Sequence, residues 1–261
     1  MMMVDRINAP YYYGNYSSWD EACMAAEQEL PGGYSCDAIL HRVSSAIQMV
    51  RRGEAAYERD GVVFPRLEFR KSLVAAMLYI ADHMQGQLRI LDFGGALGST
   101  YWQNHEVMEL FSINFQSHIV EQNLFVEYGK KYVPECSFYN EINKVDVNFI
   151  DAAMISASIN YTDKPYTYLE RLLALQLPYF IVDRTMFNIA DFDRLVVETV
   201  PENIYRAVYP CWLLHEEKFM DLLRRYGYRV VFDIVNDIDG LPLVEENSAF
   251  RVPFKGWLFV R

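Results

Sequence analysis

From Leu88 onward, short apolar runs alternate with segments of helical character, and this alternation constrains the fold more than any other feature of the sequence. Strands separated by helices are typical of a mainly parallel sheet that is covered by helices. A polar segment without an apolar helical face, residues 236–255, joins the last two runs, so we expect these to pair antiparallel. The sequence therefore predicts an α/β fold with a seven-stranded, mostly parallel sheet and an antiparallel C-terminal hairpin. The predicted strands are residues 88–93, 118–121, 137–142, 152–156, 179–182, 229–234 and 256–260.

The first 85 residues follow a different pattern, and we predict helices and no strand there. Ser18 and Glu21 form a capping box that opens a helix through residue 28, and Pro31 ends it. Apolar residues at helical spacing predict two more helices, over about residues 35–52 and 67–83. We expect residues 1–85 to form a helical cap or lid that is not independent, and residues 86–261 to form the main domain.

The charge of the chain excludes several kinds of partner. Its 24 basic and 35 acidic residues give a net charge of −11, which disfavours binding to nucleic acid or to an anionic membrane surface. The longest apolar run, residues 73–81, is too short to span a bilayer, and the first residues contain no secretory signal. No CxxC or HExxH spacing occurs, so we predict no metal site. We expect a cytoplasmic protein with a small-molecule substrate, and self-association stays open.

The segment from Arg89 to Thr100 carries the clearest chemical signal. An apolar strand ends in Asp92 and leads through Gly94, Gly95 and Gly98 into a helix. Glycines allow a ligand to approach the backbone, and the helix N-terminus offers unsatisfied N–H groups. The spacing is neither Gly-x-Gly-x-x-Gly nor a P-loop, which weakens the dinucleotide and triphosphate interpretations.

A second acidic residue, Glu121, ends the next predicted strand, where a carboxylate can accept hydrogen bonds from both hydroxyls of a ribose. With Asp92, Gly94 and Gly98, it makes the chain resemble the class I S-adenosylmethionine-dependent methyltransferases, which have a Rossmann-like fold. Ala96 replaces the middle glycine of that family's pattern. The resemblance implies S-adenosylmethionine as the cofactor.

The chain is also similar to a bacterial family of methyltransferase-like proteins associated with surface-polysaccharide synthesis. The similarity covers most of residues 50–230, in the stretches 91–95, 98–100, 120–122, 156–161 and 182–185. By position on the class I fold, Gly94, Gly95 and Gly98 are expected around the methionine and ribose, and Glu121 at the ribose hydroxyls. Asn140 or Glu141 is expected at the adenine edge, and Ser156 and Ser158 near the sulfonium.

The predicted reaction is methyl transfer to a hydroxyl, or less readily to an amine, of a small polar acceptor such as a sugar nucleotide or glycan. The candidate catalytic residues follow the fourth and fifth strands, and they are Tyr161, Asp183 and Arg184. Asp183 and Arg184 can equally form an internal ion pair. Two alternatives remain at this point, namely an NAD(P)-dependent oxidoreductase and a non-catalytic binding protein that retains the fold.

Overall fold

A seven-stranded sheet lies at the centre of the computed structural model, which describes residues 10–32, 36–202, 206–235, 240–245 and 248–261. The strands are β1 (Tyr11–Tyr13), β2 (Tyr57–Arg59), β3 (Val62–Phe64), β4 (Gln87–Phe93), β5 (Asn114–Val120), β6 (Ser137–Tyr139), β7 (Ala152–Ser156), β8 (Tyr179–Met186), β9 (Arg194–Val200), β10 (Ala207–Leu213), β11 (Arg229–Asp233), β12 (Leu241–Glu245), β13 (Ser248–Val252) and β14 (Phe254–Val260). The helices are α1 (Trp19–Glu29), α2 (Cys36–Arg51), α3 (Lys71–His83), α4 (Ser99–Leu110), α5 (Asn123–Tyr132), α6 (Pro165–Leu173) and α7 (Glu216–Arg225).

The central sheet has the strand order β11-β14-β8-β7-β4-β5-β6. Its members from β8 to β6 run parallel, and β14 pairs antiparallel with both β8 and β11. All seven strands predicted from the sequence belong to it, so the prediction of a mostly parallel α/β sheet with an antiparallel C-terminal pair is confirmed. The connection within that pair is not a simple loop, since it contains β12 and β13.

Helices cover both faces of the central sheet, which explains why its strands are almost continuously apolar. Along β4, Leu88 and Ile90 pack against α3, whereas Leu91 and Phe93 belong to the core on the opposite face with α6 and α7. Successive side chains of β4 thus point to opposite faces of the sheet, and both faces are buried. Among the described helices, none is long and apolar enough to cross a membrane.

A second sheet, with the strand order β10-β9-β1-β12-β13, is absent from the sequence prediction. Its strands come from three distant parts of the chain, so no local alternation of apolar and polar residues predicts this sheet. The segment of β9, Arg-Leu-Val-Val-Glu-Thr-Val, is nevertheless rich in β-branched residues, which favour strands. Pro210 lies in β10, at the edge of this sheet, where its missing N–H costs least.

The N-terminal region contains the three predicted helices, but the prediction that it holds no strand is wrong. β1 joins the second sheet, and β2 and β3 form a hairpin. The hairpin turns at Asp60 and Gly61, which have positive φ angles of 53° and 72°. Asp-Gly at a two-residue turn is a strong hairpin signal, because both positions need positive φ. A cap of helices alone is therefore not what residues 10–85 form, and the division at residue 85 stays a prediction.

Candidate functional site

A cavity of about 1240 Å³ opens at the carboxyl ends of β4, β5, β6, β7 and β8, where open α/β sheets bind ligands. Seven of the predicted site residues line it. They are Gly94, Glu121, Asn140, Glu141, Ser158, Tyr161 and Arg184. The opposite wall comes from the second sheet and from the β2–β3 turn. The central sheet therefore brings together residues that are up to 90 positions apart in the sequence.

The turn after β4 requires glycine at two positions. Gly94 and Gly98 have φ angles of 73° and 91°, and Gly98 is the left-handed N-cap of α4. A Cβ added at Gly94 would lie 2.5 Å from the Cβ of Ser158, so the absence of a side chain lets the two loops meet. Ala96, which stands at the family's middle glycine, has a φ of 50° and carries the strain of a left-handed alanine.

Glu121 lies at the end of β5 and faces this turn. Its Oε1 accepts a hydrogen bond from the Ala96 N–H at 3.3 Å, and its Oε2 accepts one from the Gln122 N–H at 2.7 Å. Burial raises the pKa of the Glu121 carboxyl above its usual range, although the two N–H groups oppose the shift. The strained Ala96 thus supplies one of the two N–H groups that fix the Glu121 carboxylate.

Asn140 and Glu141 follow β6 and lie at an exposed rim of the cavity. The Asn140 side chain donates to Asn123 at 2.9 Å and accepts from the Lys144 ammonium at 2.9 Å. Glu141 pairs with the same Lys144 at 2.9 Å. Both residues therefore line the cavity at its exposed rim, and their place at an adenine edge stays a prediction.

Asp92 lies beneath the glycine turn and does not line the cavity. It is 2% exposed, and its Oδ2 has no hydrogen-bond partner. A Cβ added at Gly95 would lie 2.5 Å from that oxygen, so the backbone of the turn rests directly on the carboxyl. Burial, followed by the neighbouring Glu121, raises the pKa of Asp92 to about 7. Its position is that of a support for the turn.

Asp183 is the centre of a buried charge cluster next to the cavity. Its Oδ2 pairs with the Arg70 guanidinium, accepts from the Ser156 hydroxyl at 2.5 Å and lies 3.6 Å from Nε of Arg184. Although burial opposes ionisation, the Arg70 and Arg184 guanidinium groups lower the pKa of Asp183 below its usual range. A carboxyl that holds its charge so firmly is a poor base, and the internal ion pair is the alternative that this geometry favours.

Five of the predicted residues are therefore not in the cavity wall. They are Asp92, Gly95, Gly98, Ser156 and Asp183. Asp92 lies one position before the cavity-lining Phe93 in β4, so its side chain points to the other face of the strand, whereas Gly95 and Gly98 lie in the turn after β4. Prediction from the sequence identified the strand ends but not which of the adjacent polar groups would face the ligand and which would support it.

Arg184 does reach the cavity, and its backbone is strained. Its φ is 45°, a left-handed conformation that side chains other than glycine rarely adopt. Ala157, at the end of the adjacent strand β7, has a similar φ of 48°. Strained backbones of this kind persist where the surrounding structure holds them, and they concentrate at functional sites.

Tyr161 also reaches the cavity, from the turn that follows β7. Its hydroxyl donates to Oε2 of Glu198 at 2.7 Å. Burial, followed by the charge of Glu198, raises the pKa of Tyr161 well above its usual range, so the phenol stays protonated near neutral pH. It serves as a hydrogen-bond donor and not as a base.

Several residues of the cavity wall escaped sequence reasoning. Glu198 lies in β9, Arg59 and Asp60 lie at the β2–β3 hairpin, and Tyr209 lies in β10. The Asp-Gly turn and the β-branched run around Glu198 were available as strand signals. No sequence signal, however, indicates that the second sheet folds against the carboxyl edge of the first.

The described residues contain no group of three or more histidine, cysteine, aspartate and glutamate side chains arranged to hold a metal ion. The groups that are arranged around the cavity instead suit an organic ligand. The bare backbone of Gly94, the carboxylate of Glu121 and the unpartnered buried hydroxyl of Ser158 are adjacent. This set of donors and acceptors fits a nucleoside with a polar substituent.

Comparison with models of protein families finds no match, and comparison with curated proteins finds none. Solved structures do match, at low identity. The 1,6-didemethyltoxoflavin-N1-methyltransferase of Burkholderia thailandensis, with bound S-adenosylhomocysteine, is 16% identical, with 86% of this chain and 88% of that chain covered and a TM-score of 0.41. CalS10 of Micromonospora echinaspora, an amino pentose methyltransferase with bound S-adenosylmethionine, is 9% identical, with 82% and 96% covered and a TM-score of 0.45. DesVI of Streptomyces venezuelae is 12% identical, with 83% and 97% covered and a TM-score of 0.47. A shared activity does not follow from likeness at this level.

Proposed function

We propose that this chain is an S-adenosylmethionine-dependent methyltransferase whose methyl donor binds beside Gly94 and Glu121. One observation carries the proposal: the glycine turn at the end of β4 and the carboxylate at the end of β5 line the same cavity. The bare backbone admits a ligand at close range, and the Glu121 carboxylate can accept hydrogen bonds from both ribose hydroxyls. When bound, S-adenosylmethionine supplies a methyl carbon attached to a positively charged sulfur.

The charge of the cavity supports a cationic donor. Its lining carries five acidic and three arginine side chains, so the acidic groups outnumber the basic ones even when Glu198 is protonated, and this favours cations. The acidic side chains belong to Asp60, Glu121, Glu141, Asp163 and Glu198, and the guanidinium groups to Arg59, Arg171 and Arg184.

The contribution of the protein to methyl transfer is mainly alignment, which is worth roughly 7–11 kcal/mol when reacting atoms are held in line. Strained backbone occurs at Ala96, Ala157 and Arg184, near the carboxyl ends of three strands of the central sheet. The acceptor is a small polar molecule with a hydroxyl or an amine, such as a sugar nucleotide or glycan. A role in surface-polysaccharide synthesis is the expectation from the sequence resemblance.

Calorimetry with S-adenosylhomocysteine and with NADH tests this function. We expect the wild-type protein to bind S-adenosylhomocysteine and not NADH. Replacing Glu121 by Ala should raise the Kd about 10- to 150-fold, because two charge-assisted hydrogen bonds are lost. Glu127→Ala is the matched control, since Glu127 is an exposed glutamate on α5 outside the cavity and should leave the Kd unchanged.

Binding of NADH in preference to S-adenosylhomocysteine would establish the oxidoreductase alternative. An unchanged Kd in Glu121→Ala would remove this residue from the donor site. A protein that binds the donor but never releases S-adenosylhomocysteine with any acceptor would be a binding protein that retains the fold.

A further inference from the structure

A buried carboxyl group lies on the part of the cavity wall that comes from the second sheet. Glu198 of β9 is directly opposite Tyr12 of β1 and Tyr209 of β10 in the strand register. Side chains at paired positions of neighbouring strands point to the same face of a sheet, so the carboxylate stands between two tyrosines. Glu198 is 4% exposed and lines the cavity.

A third tyrosine, Tyr161, also contacts Glu198 and connects it to the glycine turn. Tyr161 donates its hydroxyl to Oε2 of Glu198 at 2.7 Å, and its ring lies edge-on to that of Tyr209 at 5.3 Å between centroids. The Tyr161 N–H bonds to the Ser158 carbonyl at 3.1 Å, and Ser158 contacts the backbone of Gly94. Only one short turn therefore separates the carboxylate cluster from the glycine turn.

No described lysine, arginine or histidine forms an ion pair with Glu198, and its Oε1 accepts no hydrogen bond from the described residues. Burying an ionised carboxylate without a cation is costly. Here, burial raises the pKa of Glu198 to about 8. A ligand that brought a cation would remove this cost, and the faces of tyrosine rings also attract cations.

We infer that Glu198 with Tyr161 and Tyr209, supported from behind by the buried Tyr12, is the acceptor subsite, and that the acceptor presents an amine to it. The catalytic part of this inference rests on the proposed function. The sequence favoured a hydroxyl as the acceptor group, and this inference replaces it with an amine. Binding of the amine by Glu198, Tyr161 and Tyr209 does not depend on that function.

In the proposed reaction, the Glu198 carboxylate accepts the proton that the acceptor ammonium must lose. The acceptor binds as an ammonium, and one N–H proton passes to the carboxylate, which leaves a neutral amine with a free lone pair. The nitrogen then forms a bond to the methyl carbon while the carbon–sulfur bond breaks and leaves its electron pair on sulfur. The product is a methylated ammonium, and the proton on Glu198 leaves to solvent through the cavity.

Two pairs of small molecules that differ only in amine against hydroxyl test the subsite without the methyl donor. They are glucosamine with glucose, and cyclohexylammonium with cyclohexanol. We expect calorimetry at pH 7 to give the amine of at least one pair a Kd about tenfold lower than its hydroxyl partner. Glu198→Gln keeps the shape and an acceptor for Tyr161, and it should abolish this preference. Glu202→Gln, an exposed glutamate beyond the end of β9, is the matched control.

Proton release provides a second readout. Since the Glu198 carboxyl is largely protonated at pH 7 when the subsite is empty, pairing with an ammonium should expel up to one proton. Measuring the binding enthalpy in two buffers of different ionisation enthalpy detects it, and Glu198→Gln should release none. The other titratable groups that face Glu198 are Tyr12, Tyr161, Tyr209, Cys211 and Asp60. Burial raises the pKa of Tyr161 and of Cys211, so neither of these ionises near pH 7.

The subsite is refuted if neither amine is preferred over its hydroxyl partner, or if Glu198→Gln retains the preference. Methylation of a hydroxyl acceptor by Glu198→Gln at the wild-type rate would also overturn it. Failure of S-adenosylhomocysteine to bind would instead count against the proposed function, because the amine measurements contain no donor.

Discussion

The two walls of the cavity are built in different ways. The wall of the central sheet consists of strand ends that are neighbours in a regular parallel order, and the groups that line it are the glycine turn, strained backbone and polar side chains that include Glu121. The wall of the second sheet presents side chains from strands that meet only in the folded chain, and its central group is one buried carboxylate among tyrosines. The proposed donor site thus belongs to the first wall and the proposed acceptor subsite to the second, and the two can be tested separately.

The largest effect that we expect comes from Asp183, which supports the first wall. Asp183→Asn leaves Arg70 and Arg184 buried beside a neutral group and should lower the free energy of unfolding by about 3–5 kcal/mol. Urea unfolding measures it. Asp151→Asn is the matched variant, because Asp151 is also buried and paired, with Arg89, at the other end of the sheet. Asp151→Asn should lose stability but keep its affinity for S-adenosylhomocysteine. If Asp183→Asn lowers the free energy of unfolding by less than about 1 kcal/mol, the charge cluster is dispensable.

The next effect concerns the glycine turn of the same wall. Gly94→Val combines a positive φ with a clash against Ser158, so the Kd for S-adenosylhomocysteine should rise about 100-fold. Gly53 has a similar φ of 71° but no atom within 4 Å of an added Cβ, so Gly53→Val measures the strain alone. Normal binding by Gly94→Val would contradict the placement of the donor.

The pH dependence of stability compares the two walls directly. Burial raises the pKa of Asp92 and of Glu58 to about 7 and that of Glu198 to about 8. Above pH 5 the unfolded chain has released these protons and the folded chain has not, so stability falls as pH rises towards 8. His118, whose pKa burial lowers, opposes this fall only below about pH 6.5.

We expect the free energy of unfolding to decrease by several kcal/mol between pH 5 and pH 8, since each of the three carboxyls contributes about 1.4 kcal/mol per pH unit below its folded-state pKa. Glu198→Gln should make the decrease smaller, and Glu202→Gln should not change it. Equal slopes in wild type and Glu198→Gln would mean that the carboxyl of the second wall titrates normally. The measurement is a series of urea titrations across this pH range.

The smallest effect concerns the residue that departs from the family's glycine pattern. Ala96 has a φ of 50°, so Ala96→Gly should relieve strain and stabilise the protein by about 0.5–1 kcal/mol. Its N–H still reaches Glu121, so the affinity for S-adenosylhomocysteine should stay within a factor of about two. The measurement is thermal unfolding. A destabilised Ala96→Gly protein would show that packing of the Ala96 methyl group stabilises the fold by more than the left-handed backbone costs.

The difference between the two walls also explains which parts of the structure could be predicted from the sequence. Each strand of the central sheet is a local apolar run, and parallel order places Gly94 and Glu121 side by side, so the fold and half of the site were predictable. Which polar group faces the ligand depends on packing, and Asp92 and Ser156 turn out to lie behind the wall. Glu198 was not predictable, because its neighbours Tyr12 and Tyr209 reach it only through pairing between distant segments.

The position of β1 has a consequence for the order in which the molecule assembles. Its three residues pair with β9 on one side and with β12 on the other, so the two ends of the chain meet in the middle of the second sheet. Closing so long a loop costs more entropy than pairing adjacent segments, and contacts of high sequence separation form late in folding. β4 and β5, which are close in sequence, can pair while later segments are still unfolded. On a ribosome, the wall around Glu198 is completed only after β12 has emerged, long after β4 and β5.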